Sequence, residues 1–342
     1  MDKWKDKRVL ITGVCGTVGV ELLRQVRARE VAEIIGLDNN ESDLFFLEEE
    51  NREDKRVRLY LGDVRDRDKL VRKTVGIDII LHAAALKHVI LCEKSPRDAV
   101  QTNINGVQNI IDAALTNNVG YVLFTSSDKA VNPTNVMGTT KLMGERLMTA
   151  ANAVKRQGGP VFASTRFGNI LGSRGSVIPL FKKQIMDGGP VTLTDDRMTR
   201  FIMTVAQAAE LVLQSVHMAR GGEVFVTKMP VVRIKDLAMV MVQVLAPIYG
   251  HDPKDVDIWL MGAKAGEKLY EELLSEEETR RAVELDSFFS VMPAFKSVYE
   301  DISYDYPGKS GDEKLTRAYN SLTERPMKSE ELKRFLMDNQ LI

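Results

Sequence analysis

A hydroxyl, a carboxyl and an ammonium group stand in succession at Ser127, Asp128 and Lys129. Such a set can hand protons to and from a substrate, provided that one member changes protonation state near neutral pH. Adjacency alone favours the charged carboxylate–ammonium pair. Acid–base work therefore demands a site that excludes water and displaces a pKa, giving a neutral lysine or a protonated aspartate. Lys141 follows Met137 by one helical turn, so the two share a face. Met137 has no proton to give or take. Two roles are open to Ser127: a direct hydrogen bond to an alcohol substrate, or a hold on a water that relays the alcohol proton to Asp128.

These residues lie where a strand hands over to a helix, the place at which ligands bind in parallel α/β proteins. Tyr121–Phe124 is an apolar strand-type run, and a helical pattern after Met137 carries Leu142, Glu145, Arg146 and Met148 before Gly158-Gly159-Pro160 breaks it. The first half repeats this alternation. Arg8–Thr12, Glu33–Leu37, Val57–Leu61, Asp78–His82 and Val161–Phe167 read as strands, with helices through about Arg29 and over Pro96–Asn117. Alternation of this kind predicts an α/β fold, a Rossmann-type doubly wound parallel sheet over residues 1–167. Beyond Gly168 the pattern loosens. Helices over Val177–Met186, Val205–Met218, Ile234–Leu245, Glu267–Leu274 and Ser329–Met337, with a strand at Glu223–Val226, predict a smaller mixed α/β substrate lobe over 168–342, partly interwoven with the first.

Gly13, Gly16 and Gly19 follow the first strand and open the first helix, with Thr17 and Val18 between them. Glycines there let the backbone approach a pyrophosphate, which rests on the unpaired N–H groups of the helix start. Asp38 closes the second strand, where a carboxylate accepts from the ribose 2′-hydroxyl and repels a 2′-phosphate, so NAD is expected rather than NADP. Asp63 and Val64 after the third strand suit an adenine contact. Ala83, Ala84 and Ala85 after the fourth suit close approach of the chain to the cofactor.

A net charge of −1 offers no footprint for nucleic acid or an anionic membrane. The longest nearly apolar run, Ile77–Leu86, contains Asp78 and His82 and is about half of the roughly 20 residues a spanning helix needs. Met1–Arg8 lacks the apolar core of a signal peptide. Two cysteines and four histidines, none at ligand spacing, predict neither a disulfide framework nor a metal site, and a reducing, cytoplasmic setting fits.

With those residues in place, the chain resembles the nucleotide-sugar 4,6-dehydratases of the extended short-chain dehydrogenase/reductase superfamily. It is most similar to the polysaccharide-biosynthesis branch acting on UDP-N-acetylglucosamine. The resemblance rests on Ala84–Val89, Ser127–Gly138, Arg166–Val177, Thr199–Phe201 and Gly266–Leu273. Ser127, Met137 and Lys141 have the spacing of the superfamily's Ser-Tyr-x-x-x-Lys set, with methionine for tyrosine, as in the branch that makes precursors of bacillosamine-type sugars. Larger members carry a membrane-anchored amino-terminal region, beside which this chain looks like a free-standing catalytic domain. It departs from the family at Lys264-Ala265, where an arginine-proline pair is usual.

The resemblance implies an NAD-dependent reaction on a UDP- or GDP-linked N-acetylhexosamine, feeding surface-glycan synthesis. Hydride leaves C4, water is eliminated across C5 and C6, and the hydride returns to C6. Lys129 is assigned to the C5 proton and Asp128 to the C6 hydroxyl, with Lys141 on the nicotinamide ribose. Asn169, Arg174 and Arg200 are implied at the diphosphate, where a guanidinium fork matches phosphate oxygens. Ser173 and Val177 fall in the same stretch. Lys87 is placed toward the sugar or nicotinamide, and Glu267 either caps its helix or touches a ribose. Relatives pair through the helices flanking the fifth strand, so a homo-oligomer is expected. A 4-epimerase shares C4 oxidation but needs no acid–base pair for C5 and C6. A non-catalytic NAD-binding sensor is the rival from another class.

Overall fold

Six runs form parallel ladders: β1 (Arg8–Thr12), β2 (Glu33–Asp38), β3 (Val57–Leu61), β4 (Ile79–His82), β5 (Tyr121–Ser127) and β6 (Val161–Phe167). Their spatial order is β6-β5-β4-β1-β2-β3. The winding reverses between β1 and β4, so the loops after these two strands diverge and leave a crevice at their carboxyl ends. Val9–Ile11, Ile79–His82 and Val122–Phe124 are buried on both faces, which is why these runs are continuously apolar rather than alternating. The structure, a computed structural model, describes residues 3–342 apart from 157, 174, 263–265, 296–298, 300, 301, 307–314 and 316.

The doubly wound parallel sheet expected from the sequence is present, and it extends past β6. Val224–Thr227 lies parallel to β6, followed by Phe288–Val291 and the edge strand Ala282–Glu284, both antiparallel. The helices Thr17–Arg27 and Val205–Met218 pack together over one face, while Gly106–Asn117 and Val136–Val154 cover the other. A separate core containing Phe181, Leu193, Ile202, Met241 and Leu336 organises much of the later chain.

The helical stretch from Pro96 to Asn117 contains a π-helical turn at Gln101–Asn105, a device common at functional sites. One expected helix is absent. Glu267–Leu274 is an extended turn that ends in the strand Glu272–Leu274, antiparallel to Tyr319–Asn320. Its leucines have helical spacing, but its backbone is bonded elsewhere. Leu269 O accepts from Thr199 N at 2.9 Å, and Glu271 exchanges two bonds with Ser321, N to Oγ and O from N, both 2.9 Å. Tertiary partners override the local preference, and Glu267 has no helix there to cap.

Candidate active site

Gly13 adopts φ +69°, and a Cβ there would lie 2.7 Å from Ala84 Cα. Glycine at 13 is thus needed for both its conformation and its contact with the alanine run. A Cβ on Gly19 would collide with Gly13 O, so the helix Thr17–Arg27 can start directly beneath the loop. That helix begins at Gly16 with no side-chain cap. Its amino end, with Thr17 and Val18, opens onto a cleft of about 530 Å³ that also receives Gly13, Ala83 and Ala85.

An adjoining hollow of about 500 Å³ is lined by Asp38, Asp43, Asp63, Val64, Ala84 and Asp98. Asp38 Oδ2 accepts from Cys15 N at 2.9 Å and Oδ1 from Asn40 N at 3.0 Å. Each oxygen keeps a lone pair for a further donor. Asp63 chelates Arg65, whose hydrogen bonds hold its carboxyl below the ordinary value despite burial. A capless helix start beside a hollow rimmed by four carboxylates fits a pyrophosphate and an unphosphorylated adenosine ribose.

At the end of β5 the proton-carrying groups converge on one oxygen. Asp128 Oδ1 accepts from Ser127 Oγ at 2.6 Å, Lys129 N at 2.9 Å and Lys129 Nζ at 3.1 Å. Asp128 is 1% exposed, and its Oδ2 is buried without a hydrogen-bond partner. Lys129 Nζ also lies 3.4 Å from Glu271 Oε1, and Arg200 Nε stands 3.6 Å from that same oxygen. Burial works against the charge on Lys129, but Asp128 and then Glu271 outweigh it and hold the ammonium above lysine's usual range. Glu271 is 3% exposed. Burial, followed by the charge of Asp128, pushes its carboxyl up against the pull of Lys129, Arg200 and Lys268.

The helix Val136–Val154 is seated against this turn. Asn135 Oδ1 caps it by accepting from Gly138 N at 2.9 Å, and a Cβ on Gly138 would collide with Lys129 O. Met137 packs with Cys92 and Ala99 and lines the cleft. Lys141 also lines it and donates to Thr125 O at 3.0 Å, with burial lowering its pKa to about 8. Lys87, Asn169 and Ser173 line the same cleft. A further hollow of about 330 Å³, meeting the cleft at Lys129 and Asn169, is lined by Val177, Arg200, Glu267 and Glu271. Asn169 Oδ1 is buried there without a partner. Arg174 and Lys264-Ala265 lie outside the described residues.

Arg200 reaches the hollow, but its guanidinium is already engaged. Nη1 donates to the carbonyls of Thr199 and Leu269, Nη2 to Lys268 O and Met198 Sδ, and Nε faces Glu271. In this arrangement it buttresses the turn at 268–271 and presents no free fork. Two residues matter here that spacing did not signal. Glu271 is one. The other is Asn103, in the π-helical turn. It is buried, bonded to both Leu86 N (2.8 Å) and Leu86 O (2.9 Å) and to Thr140 Oγ1 (3.0 Å), so it ties the loop leading to Lys87 to the helix carrying Lys141. An amide within an apolar helix pattern was its only trace in the sequence.

Known proteins resemble this chain at several levels of identity. An uncharacterized membrane protein of Methanocaldococcus jannaschii is 45% identical over 335 residues, 98% of this chain and 96% of its own. The UDP-N-acetylglucosamine 4,6-dehydratase (inverting) of Campylobacter jejuni is 39% identical over 72% of this chain and 70% of its own. The UDP-glucose 4-epimerase of Rickettsia felis is 35% identical over 97% and 96%. Among solved structures, Pen from Bacillus thuringiensis superposes with a TM-score of 0.91 at 38% identity over 100% of both chains. DesIV, a dTDP-glucose 4,6-dehydratase from Streptomyces venezuelae solved with NAD and TYD bound, shares the fold at a TM-score of 0.67 and 24% identity, over 77% of this chain and 86% of its own. The model of the polysaccharide biosynthesis protein family matches residues 9–293, and on that span the chain belongs to this family.

Proposed function

We propose that this chain is an NAD-dependent 4,6-dehydratase acting on a UDP-linked N-acetylhexosamine, with UDP-N-acetylglucosamine the simplest candidate. The reading rests on one observation: Ser127, Asp128, Lys129 and Glu271 stand in successive polar contact beside the cofactor cleft, with both carboxyl groups buried. Oxidation at C4 alone calls for one proton acceptor, whereas elimination across C5 and C6 calls for a base and an acid as well. The Campylobacter relative carries that activity in its name, and it shares a UDP substrate with the Rickettsia relative.

Gly13, Gly16, Thr17, Val18, Asp38, Asp63 and Ala83–Ala85 would hold the dinucleotide, with Lys141 at its ribose. Bound there, NAD supplies a hydride acceptor at C4 and a hydride donor at C6. The protein moves the protons. Ser127 takes the C4 hydroxyl proton and passes it 2.6 Å to Asp128. Asp128, now a carboxylic acid, protonates the C6 hydroxyl as it leaves as water. Lys129, as a neutral amine, removes the C5 proton and later returns it. The sugar loses one water and no net electrons.

Incubation with UDP-N-acetylglucosamine should replace the C6 hydroxymethyl signal by a methyl doublet in the proton NMR spectrum. A C4 epimer that keeps its hydroxymethyl group would establish instead the epimerase reading, which the near full-length similarity to the Rickettsia protein favours. Ser127→Ala should slow the C4 hydride step at least about tenfold, as loss of a proton-transfer group does, read as a larger deuterium isotope effect on C4-labelled substrate. Met137→Tyr should leave turnover intact or raise it, because a phenol at that position supplies a second route for the same proton.

A further inference from the structure

An ammonium group cannot remove the C5 proton, and Lys129 is held as an ammonium by the carboxylates on either side of it. Resting on the dehydratase reading, we infer that Glu271 is the positioning residue that takes the proton from Lys129 and so frees the amine to act at C5. Only Asp128 and Glu271 place a carboxylate oxygen within 4 Å of Lys129 Nζ among the described residues. Asp128 Oδ1 already accepts three bonds, and in the proposed sequence Asp128 receives the C4 hydroxyl proton. Glu271 is less occupied. Its Oε1 meets Lys129 and Arg200 at 3.4 and 3.6 Å, and its buried Oε2, like Asp128 Oδ2, has no partner.

The transfer breaks an N–H bond on Lys129 and forms an O–H bond on Glu271, turning an ion pair into a neutral pair with no change in total charge. Burial works toward that exchange by penalising both ions, against the attraction to Asp128 and Glu271 that keeps Lys129 charged at rest, so the neutral pair is a transient state. The groups facing Glu271 are Asp128 and Lys129 from the turn after β5, Arg200 from the strand Thr199–Met203, and Lys268 from its own turn. Burial makes its carboxylate a stronger base than usual, and once Asp128 holds the C4 proton Lys129 loses the carboxylate that most favours its charge. Two backbone bonds to Ser321 keep the residue in place, and the proton returns to Lys129 after C5 has been reprotonated.

The test uses the whole chain with NAD and UDP-N-acetylglucosamine, comparing wild type, Glu271→Gln and Glu271→Asp by methyl-product NMR and kinetics from pH 6 to 10. Glu271→Gln should lower kcat for the methyl product about 100-fold while KM stays within about threefold. Its remaining activity should climb with pH, since solvent base then strips Lys129. Reduced nicotinamide should accumulate, because C4 oxidation proceeds without elimination. Glu271→Asp should recover to within about tenfold of wild type. Glu271→Gln turnover close to wild type, or a loss that neither alkaline pH nor aspartate relieves, overturns the inference. Wild type that makes no methyl product sinks the dehydratase reading itself, whatever the variants do.

Discussion

Lys129→Met should cut formation of the methyl product by about 1,000-fold, the middle of the range that a positioned acid–base group contributes. Methionine keeps the length of the stem and removes the ammonium that bridges Asp128 and Glu271 at 3.1 and 3.4 Å. The loss should fall on elimination and spare the first half-reaction, since Ser127 and Asp128 still touch at 2.6 Å. Mixing this variant with NAD and substrate should therefore build up reduced nicotinamide that wild type re-oxidises within each turnover. Should Lys129→Met form methyl product within about tenfold of wild type, the lysine is not the C5 base.

The largest effect on stability is expected at Arg166, far from solvent on β6. Its fork binds Glu145 at 2.8 and 2.7 Å and Glu278 at 2.9 and 2.8 Å, and Nη1 also donates to Leu273 O at 3.0 Å. One side chain thus joins β6, the helix Val136–Val154 and the strand that follows Glu271. Arg166→Met takes the guanidinium from buried Glu145 and leaves Glu278 only Arg281 at 3.6 Å as a cation, which costs about 3–5 kcal/mol at pH 7, read from the urea midpoint. Burial alone would raise the Glu278 carboxyl, but Arg166 overrides it and brings the pKa to about 2. A carboxyl depressed in the fold adds stability above its ordinary value of about 4.5, and that stability is lost as pH falls toward 2. The variant lacks this contribution, so its deficit should shrink as the pH is lowered from about 5 toward about 2. A deficit that stays constant over that range would mean that Arg166 acts by packing rather than charge.

The parallel core was legible because β1 to β6 are apolar runs bounded by glycine, aspartate or asparagine, and those are the signals that local chemistry writes into a sequence. The antiparallel pair Ala282–Glu284 and Phe288–Val291 was not, since strands this short are specified by the ladder they join. Glu267–Leu274 misled for the converse reason. Leu269 and Leu273 recur at helical spacing, while the backbone bonds that decide the matter come from Thr199 and Ser321, dozens of residues away. The same limit hid Glu271, one acidic residue in a run that also holds Glu267, Glu272 and Glu276–Glu278. Side-chain type was readable at every position, but not the depth at which Glu271 is buried or the direction in which Arg200 donates.

The ladder between Ser164–Arg166 and Val224–Val226 also fixes how the molecule can breathe. Swinging two bodies apart needs a seam with few bonds across it, and here the join between the two halves of the chain is itself β-sheet. Thr149 donates to Gly222 O at 2.9 Å and Gly222 N to Phe162 O at 2.7 Å, which clamps the join further. Opening the cleft by parting the two halves would therefore have to break this ladder.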